Sequence, residues 1–165
     1  MKYLYLGKIV NTHGIKGEIR ILSNFKYKSK VLKKHFKVYI GKNKQEETIN
    51  SYRPHKQFDM ITLEGITNIN DVLKYKGSSI FINRNDLVLE SGEYLDEDLI
   101  GMSVLMNQKN CGTIVRIQQD RYQDKIVVNK EEKEYLVPYV YDIIKEINIK
   151  EKTITLEPIK GLLDD

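Results

Sequence analysis

Three consecutive stretches decide the class of this chain: Leu4-Tyr5-Leu6-Gly7-Lys8-Ile9-Val10, then Asn11-Thr12-His13-Gly14-Ile15-Lys16, then Gly17-Glu18-Ile19-Arg20-Ile21-Leu22-Ser23. The outer two read as strands. The polar piece between them is a turn in which glycine permits positive φ. Gly7, Gly14 and Gly17 suggest a P-loop only weakly, because they are not followed by its Lys-Ser/Thr ending and the segment leads into a strand rather than a helix N-terminus. Gly14-Ile15-Lys16-Gly17 has the Gly-x-x-Gly spacing of a KH module, but it lies between strands.

Outward from this hairpin the pattern repeats. Phe36–Ile40, Thr48–Tyr52, Phe58–Glu64 and Ile80–Asn83 read as strands, set apart by Gly, Asn, Lys and Pro, and short strands at this spacing suggest a small barrel. One helix is predicted between Thr67 or Asn68 as cap and Gly77 as stop, with Ile69, Val72 and Leu73 on one face, as a plug across a barrel end. Periodicity fades from Arg84 to Asp98. Residues 1–85 are therefore expected to form the first domain, 86–94 a linker and 95–165 the second domain. In the latter, Met102–Met106, Gly112–Gln118, Lys125–Asn129, Glu134–Pro138 and Thr153–Pro158 read as strands, with hairpin loops at Asn107–Cys111 and Lys130–Lys133. Composition agrees with an all-β chain: 21 Ile, 11 Val and 11 Tyr, and no Ala at all, so the strongest helix former is missing.

Charge divides the chain. Residues 1–90 carry 17 Lys and Arg against 8 Asp and Glu, a balance of +9, whereas residues 91–165 carry 10 against 15, a balance of −5. Ile19 to Gln45 holds nine basic residues and no acid. Such a block repels itself, and nucleic-acid phosphates relieve that repulsion with release of counterions; a solvated lysine face is the other reading. Candidate RNA contacts are Lys16, Arg20, Lys26, Lys28, Lys30, Lys33, Lys34 and Lys37. The acidic half calls for a basic protein partner. Nothing assembles into an active site. His13, His35 and His55 are scattered, Cys111 is the only cysteine, and no Gly-x-Ser-x-Gly or His-Glu-x-x-His sequence occurs. No cofactor, metal or catalytic residue is expected. The lone cysteine fits a reducing compartment, no run is long enough to span a bilayer, and the N-terminus reads as a strand rather than a leader; a cytoplasmic monomer is expected.

The run Gly7-Lys8-Ile9-Val10-Asn11-Thr12-His13-Gly14-Ile15-Lys16-Gly17-Glu18-Ile19-Arg20-Ile21 resembles the opening motif of the ribosome maturation factor RimM family. The likeness recurs at Asp98-Leu99-Ile100-Gly101-Met102-Ser103-Val104, Gln123-Asp124-Lys125-Ile126-Val127-Val128, Leu136-Val137-Pro138-Tyr139 and Gly161-Leu162-Leu163-Asp164, in family order over nearly the whole chain. The resemblance implies an N-terminal six-stranded β-barrel and a C-terminal PRC-type β-barrel. It also implies association with small-subunit ribosomal protein nineteen and with 16S rRNA precursor in the 30S head, in a chaperone-like role in rRNA processing, with no catalytic residues. Where the family commonly has two tyrosines before Asp-Leu-Ile-Gly, this chain has Tyr94-Leu95. Tyr94 and Leu95 are the candidate partner anchor and Asp96, Glu97 and Asp98 the candidate steering charges; packing between the two domains is the other reading of Tyr94. Two rival functions stay open: a general RNA-binding module without ribosomal specificity, and an RNA-processing enzyme with an unrecognised site. Gly161-Leu162-Leu163 reads as a tail folding back on the second barrel.

Overall fold

The structure, a computed structural model, describes residues 1–164. It falls into two compact units, Met1–Val88 and Leu89–Asp165. The first contains β1 (Tyr3–His13), β2 (Glu18–Leu22), one α-helical turn α1 (Lys28–Val31), β3 (Lys37–Ile40), β4 (Gln45–His55), β5 (Phe58–Leu63) and β6 (Ser79–Asn83). These strands close into a barrel in the order β1-β2-β5-β4-β3-β6. Closure follows from alternation: Ile19 and Ile21, Val38 and Ile40, and Ile80 and Ile82 all point inward and are buried.

In β1 the strict alternation breaks. Leu4 and Leu6 are buried, then Ile9 rather than Lys8. The register with β6 shifts between Tyr5 and Gly7, and that with β2 between Ile9 and Asn11, so bulges restore the inward phase while bending the strand around the barrel.

The helix predicted over residues 68–77 is instead two 3₁₀ turns, Ile69–Asp71 and Leu73–Tyr75. Every bond there is of the tighter kind: Asp71 N–H to Asn68 O, Val72 to Ile69, Tyr75 to Val72. Asn68 does cap, its side chain accepting from the Asn70 N–H. Seven residues with Asn, Asp and β-branched neighbours are too few to repay α-nucleation. The turns bury Val72 and Tyr75, whereas Leu73, expected on the same face, is about half exposed.

The second unit contains β7 (Ser103–Met106), β8 (Lys109–Gln118), β9 (Lys125–Lys130), β10 (Lys133–Pro138), β11 (Ile144–Asn148) and β12 (Thr153–Leu156). Its ladder runs β10-β9-β8-β7-β12-β11, antiparallel except for the parallel β12–β7 pair. Leu99, Met102, Val104, Ile114, Ile126, Val128, Val137, Ile154 and Leu156 make its core, and Leu163 of the terminal tail folds onto it. Sequence reading missed β11, whose Ile-Lys-Glu-Ile-Asn composition has no strict alternation and which pairs only with β12. The hairpin loops are tighter than expected. Lys109–Cys111 belongs to β8, leaving Asn107-Gln108 as a two-residue turn, and Glu131-Glu132 forms the other.

Both turns place two successive residues at positive φ, with Glu131 at 53° and Glu132 at 64°. This is the type I′ pattern, which costs a side chain with a Cβ about 1 kcal/mol or more per residue. Replacing Glu131→Asn together with Glu132→Gly should therefore stabilise this unit by about 1–2 kcal/mol. Urea unfolding would read the gain; an unchanged midpoint would show that the glutamates sit there without penalty.

Candidate nucleic-acid and protein interfaces

The basic block divides by environment. The helical turn α1 buries Val31, and Leu32 follows it into the core, which pins the block to the barrel and turns Lys33 and Lys34 outward. Lys28 goes elsewhere. Its Nζ lies 2.9 Å from Asp59 Oδ2 and 3.3 Å from the Ser23 carbonyl. Asp59 is 3% exposed, and its other oxygen accepts from the Tyr52 hydroxyl at 2.7 Å. Burial, then the bond to Asp59, pushes the Tyr52 phenol up to about 12. Lys28 thus neutralises a buried carboxylate, which the bare charge count could not reveal. Lys37 stands 3.9 Å from Glu46, both about half exposed, a pairing too loose to withhold it from a partner. Lys16 and Lys26 are exposed and Lys30 is half-buried.

Arg20 is held apart from the other candidates. Its guanidinium lies 5.0 Å over the Phe58 ring, Nη2 is 3.2 Å from His13 Nδ1, and its buried Nε has no hydrogen-bond partner among the described residues. Beside it Arg53 makes a two-pronged bond to Glu18 at 2.7 and 2.8 Å, which holds the Glu18 carboxyl below its usual range. A further basic and aromatic group went unnoticed in the sequence. Lys44 Nζ lies 4.3 Å from the Phe81 ring centre and 5.5 Å from that of Tyr3, next to the exposed Tyr5.

On the acidic unit the five candidates have different roles. Leu95 is 7% exposed and belongs to the core, so it is not available as a surface anchor. Its N–H donates to Asp98 Oδ2 at 2.9 Å while the Asp98 N–H returns a bond to the Leu95 carbonyl. Asp98 therefore starts the 3₁₀ turn Asp96–Leu99, a capping role. Tyr94 packs half-buried against the core of its own unit. The Tyr139 hydroxyl lies 3.3 Å from that of Tyr94 and 3.2 Å from Asp96 Oδ1. Burial first, then the bond to Tyr94 and the Asp96 charge, push the Tyr139 phenol well above its usual range. Asp96 and Glu97 remain exposed.

Tyr94, Tyr139, Val140, Tyr141, Ile144, Lys145, Glu146 and Ile147 line a hollow of about 420 Å³. Tyr141 is 99% exposed. Sequence reading missed it, although Tyr139-Val140-Tyr141 directly after Pro138 was a legible aromatic signal. Among the described residues no three His, Cys, Asp or Glu side chains are grouped to hold a metal ion, and no helix is long and apolar enough to cross a membrane.

A family model described as the RimM N-terminal domain matches residues 4–87, and one described as the RimM PRC barrel domain matches residues 96–162. The chain is 42% identical over 164 residues to the ribosome maturation factor RimM of Staphylococcus aureus, covering 96% of this chain and 98% of that protein. It is 43% identical, with the same coverage, to that of Staphylococcus haemolyticus. The solution structure of the N-terminal domain of RimM from Thermus thermophilus aligns with 54% of this chain and 98% of that one, at 16% identity and a TM-score of 0.47. With both halves matched by the family's own domain models and near-complete relatives above two-fifths identity, the chain belongs to the ribosome maturation factor RimM family.

Proposed function

We propose that the protein assists 30S assembly in the cytoplasm by binding alone, its basic unit holding precursor 16S rRNA and its acidic unit holding ribosomal protein nineteen. Charge carries this division of labour. Met1–Val88 has 17 basic side chains against 7 acidic ones, and the rest of the chain 10 against 16. Phosphates favour the first; a ribosomal protein, basic because it must sit among phosphates, is drawn to the second. Differential affinity for the correct arrangement of RNA and protein shifts its population without any bond being broken, and effects on rRNA trimming follow indirectly. On the RNA side the contacts are Lys16, Lys26, Lys30, Lys33, Lys34 and Lys37, together with Arg20. On the protein side they are Tyr141 with the Tyr139 edge as anchor and Asp96 and Glu97 as steering charges.

The test is the salt dependence of binding to a precursor head RNA. Each phosphate contact adds roughly 0.7–0.9 to the slope of log affinity against log salt. Changing Lys16, Lys33 and Lys34 to Gln in the full chain should flatten the slope by about 2. Lys28→Gln should lower the melting point instead, because it strands Asp59. An unchanged slope in the triple variant would reduce the block to a solvated face. Capture of many RNAs without the ribosomal protein would favour a general RNA-binding module.

A further inference from the structure

The hairpin tips of β1–β2 and β4–β5 meet because β2 pairs with β5, Arg20 opposite Met60 and Ile21 opposite Asp59. The ends of four strands therefore bring His13, Glu18, Arg20, Arg53 and His55 together, with Lys56 in the second turn at a φ of 57°. The rings of His13 and His55 are 6.2 Å apart. Of the acids on these elements, Glu18 is gripped at both oxygens by Arg53, Asp59 is buried between Lys28 and Tyr52, and Glu46 and Glu47 stand at the opposite end of β4, beside Lys37 and Tyr75. The remaining neighbouring element is the turn Ile69–Asp71, which binds the Ile15 carbonyl through the Ile69 N–H and carries the exposed Asp71. Lys16 lies on the β1–β2 turn itself. Positive groups thus outnumber uncommitted acids at this corner.

We propose that His13, Arg20, His55 and Lys56 form a phosphodiester-binding site on the barrel whose affinity strengthens as the two histidines take up protons. It deepens the RNA-binding reading above and rests on that reading for the source of the phosphate.

The geometry supplies the coupling. For Arg20 Nη2 to donate to His13 Nδ1 at 3.2 Å, that nitrogen must be an unprotonated acceptor. Protonating it replaces the bond by two facing donors, and an anion between them satisfies both at once. The Phe58 ring below the guanidinium keeps Arg20 in place for this exchange. His55, 6.2 Å from His13 ring to ring, is coupled through charge. Burial, then the charges of Arg53, Lys56, Arg20 and His13, disfavour its protonation, and a bound phosphate reverses the electrostatic part. By linkage, an anion that favours the protonated rings is itself bound more tightly when they are protonated.

The experiment uses the full chain and a short uridine oligonucleotide, whose phosphodiesters do not titrate near neutral pH. Histidine ring-proton titrations by NMR should show the His13 and His55 midpoints rising on oligonucleotide binding, with the His35 midpoint, beside Glu64, unmoved. At constant ionic strength, affinity should tighten about threefold or more between pH 7.5 and 6.0. His13→Gln with His55→Gln should remove that pH dependence, and His35→Gln should keep it. Salt-dependent binding with unmoved midpoints, or with the pH dependence intact in the double variant, overturns the site and leaves the RNA reading standing. If the oligonucleotide fails to bind at low salt, the RNA reading falls, and sulfate titration of the same signals decides: midpoints that rise keep an anion site with another source, unmoved ones overturn it.

Discussion

Gly7→Ala is expected to lower the melting temperature of the N-terminal barrel by roughly 10–20 °C, corresponding to about 3 kcal/mol in a domain of this size. Gly7 lies between the two bulges of β1, where the strand bends so closely against β2 that a Cβ would meet the Leu22 carbonyl oxygen at 2.5 Å and Ser23 Cβ at 3.0 Å. Those neighbours are backbone and a buried serine whose hydroxyl donates to the Leu6 carbonyl, so neither can yield cheaply. Gly14 is the control. It sits at a φ of 72° with open space around any added Cβ. Gly14→Ala should therefore cost only the left-handed penalty of about 1–2 kcal/mol, and Gly14→Asn less. Equal melting points for the Gly7 and Gly14 alanine variants in calorimetry would show that the strand relaxes and that close approach is not what requires glycine.

Under the proposed function, Tyr141→Ala should speed dissociation from ribosomal protein nineteen by about tenfold or more without lowering the melting point. An aromatic ring that is almost wholly exposed contributes little to its own fold, yet offers a large rigid contact at the hollow that it lines with Tyr94 and Tyr139. Tyr94→Ala should show the reverse pattern first: a lower melting point, because its ring packs on the core of its unit and its hydroxyl neighbours that of Tyr139. Changing Asp96 and Glu97 to Asn and Gln should mainly slow association at low salt, since exposed charges steer encounter more than they hold the complex. Surface-immobilised binding separates these rates. Wild-type dissociation from Tyr141→Ala would move the anchor away from this hollow.

Most strands were legible because each reports itself locally. Period-two alternation in Thr153–Leu156, or the β-branched run Ile126–Val128, is a property of neighbouring residues. The run Ile144–Asn148 escaped detection because an end strand paired on one side needs no regular buried face. The 3₁₀ turns escaped because an apolar i, i+3, i+4 spacing serves two short turns as well as one helix, and hydrogen bonding to the preceding turn, not spacing, separates the two.

For the sites, the sequence by itself determined the inventory: an acid-free basic block, an acidic second half, and the motifs that place the chain in its family. Charge and residue order are additive along a chain and need no fold to be counted. What each group is free to do was decided only by tertiary structure. Lys28 is matched to a carboxylate 31 residues away, Leu95 and Asp98 serve a core and a cap, and His13 meets His55 across two hairpins. The physical reason is that desolvation and hydrogen bonding depend on distances between residues remote in sequence. A lysine beside a buried carboxylate and a lysine in solvent read identically until the chain has folded.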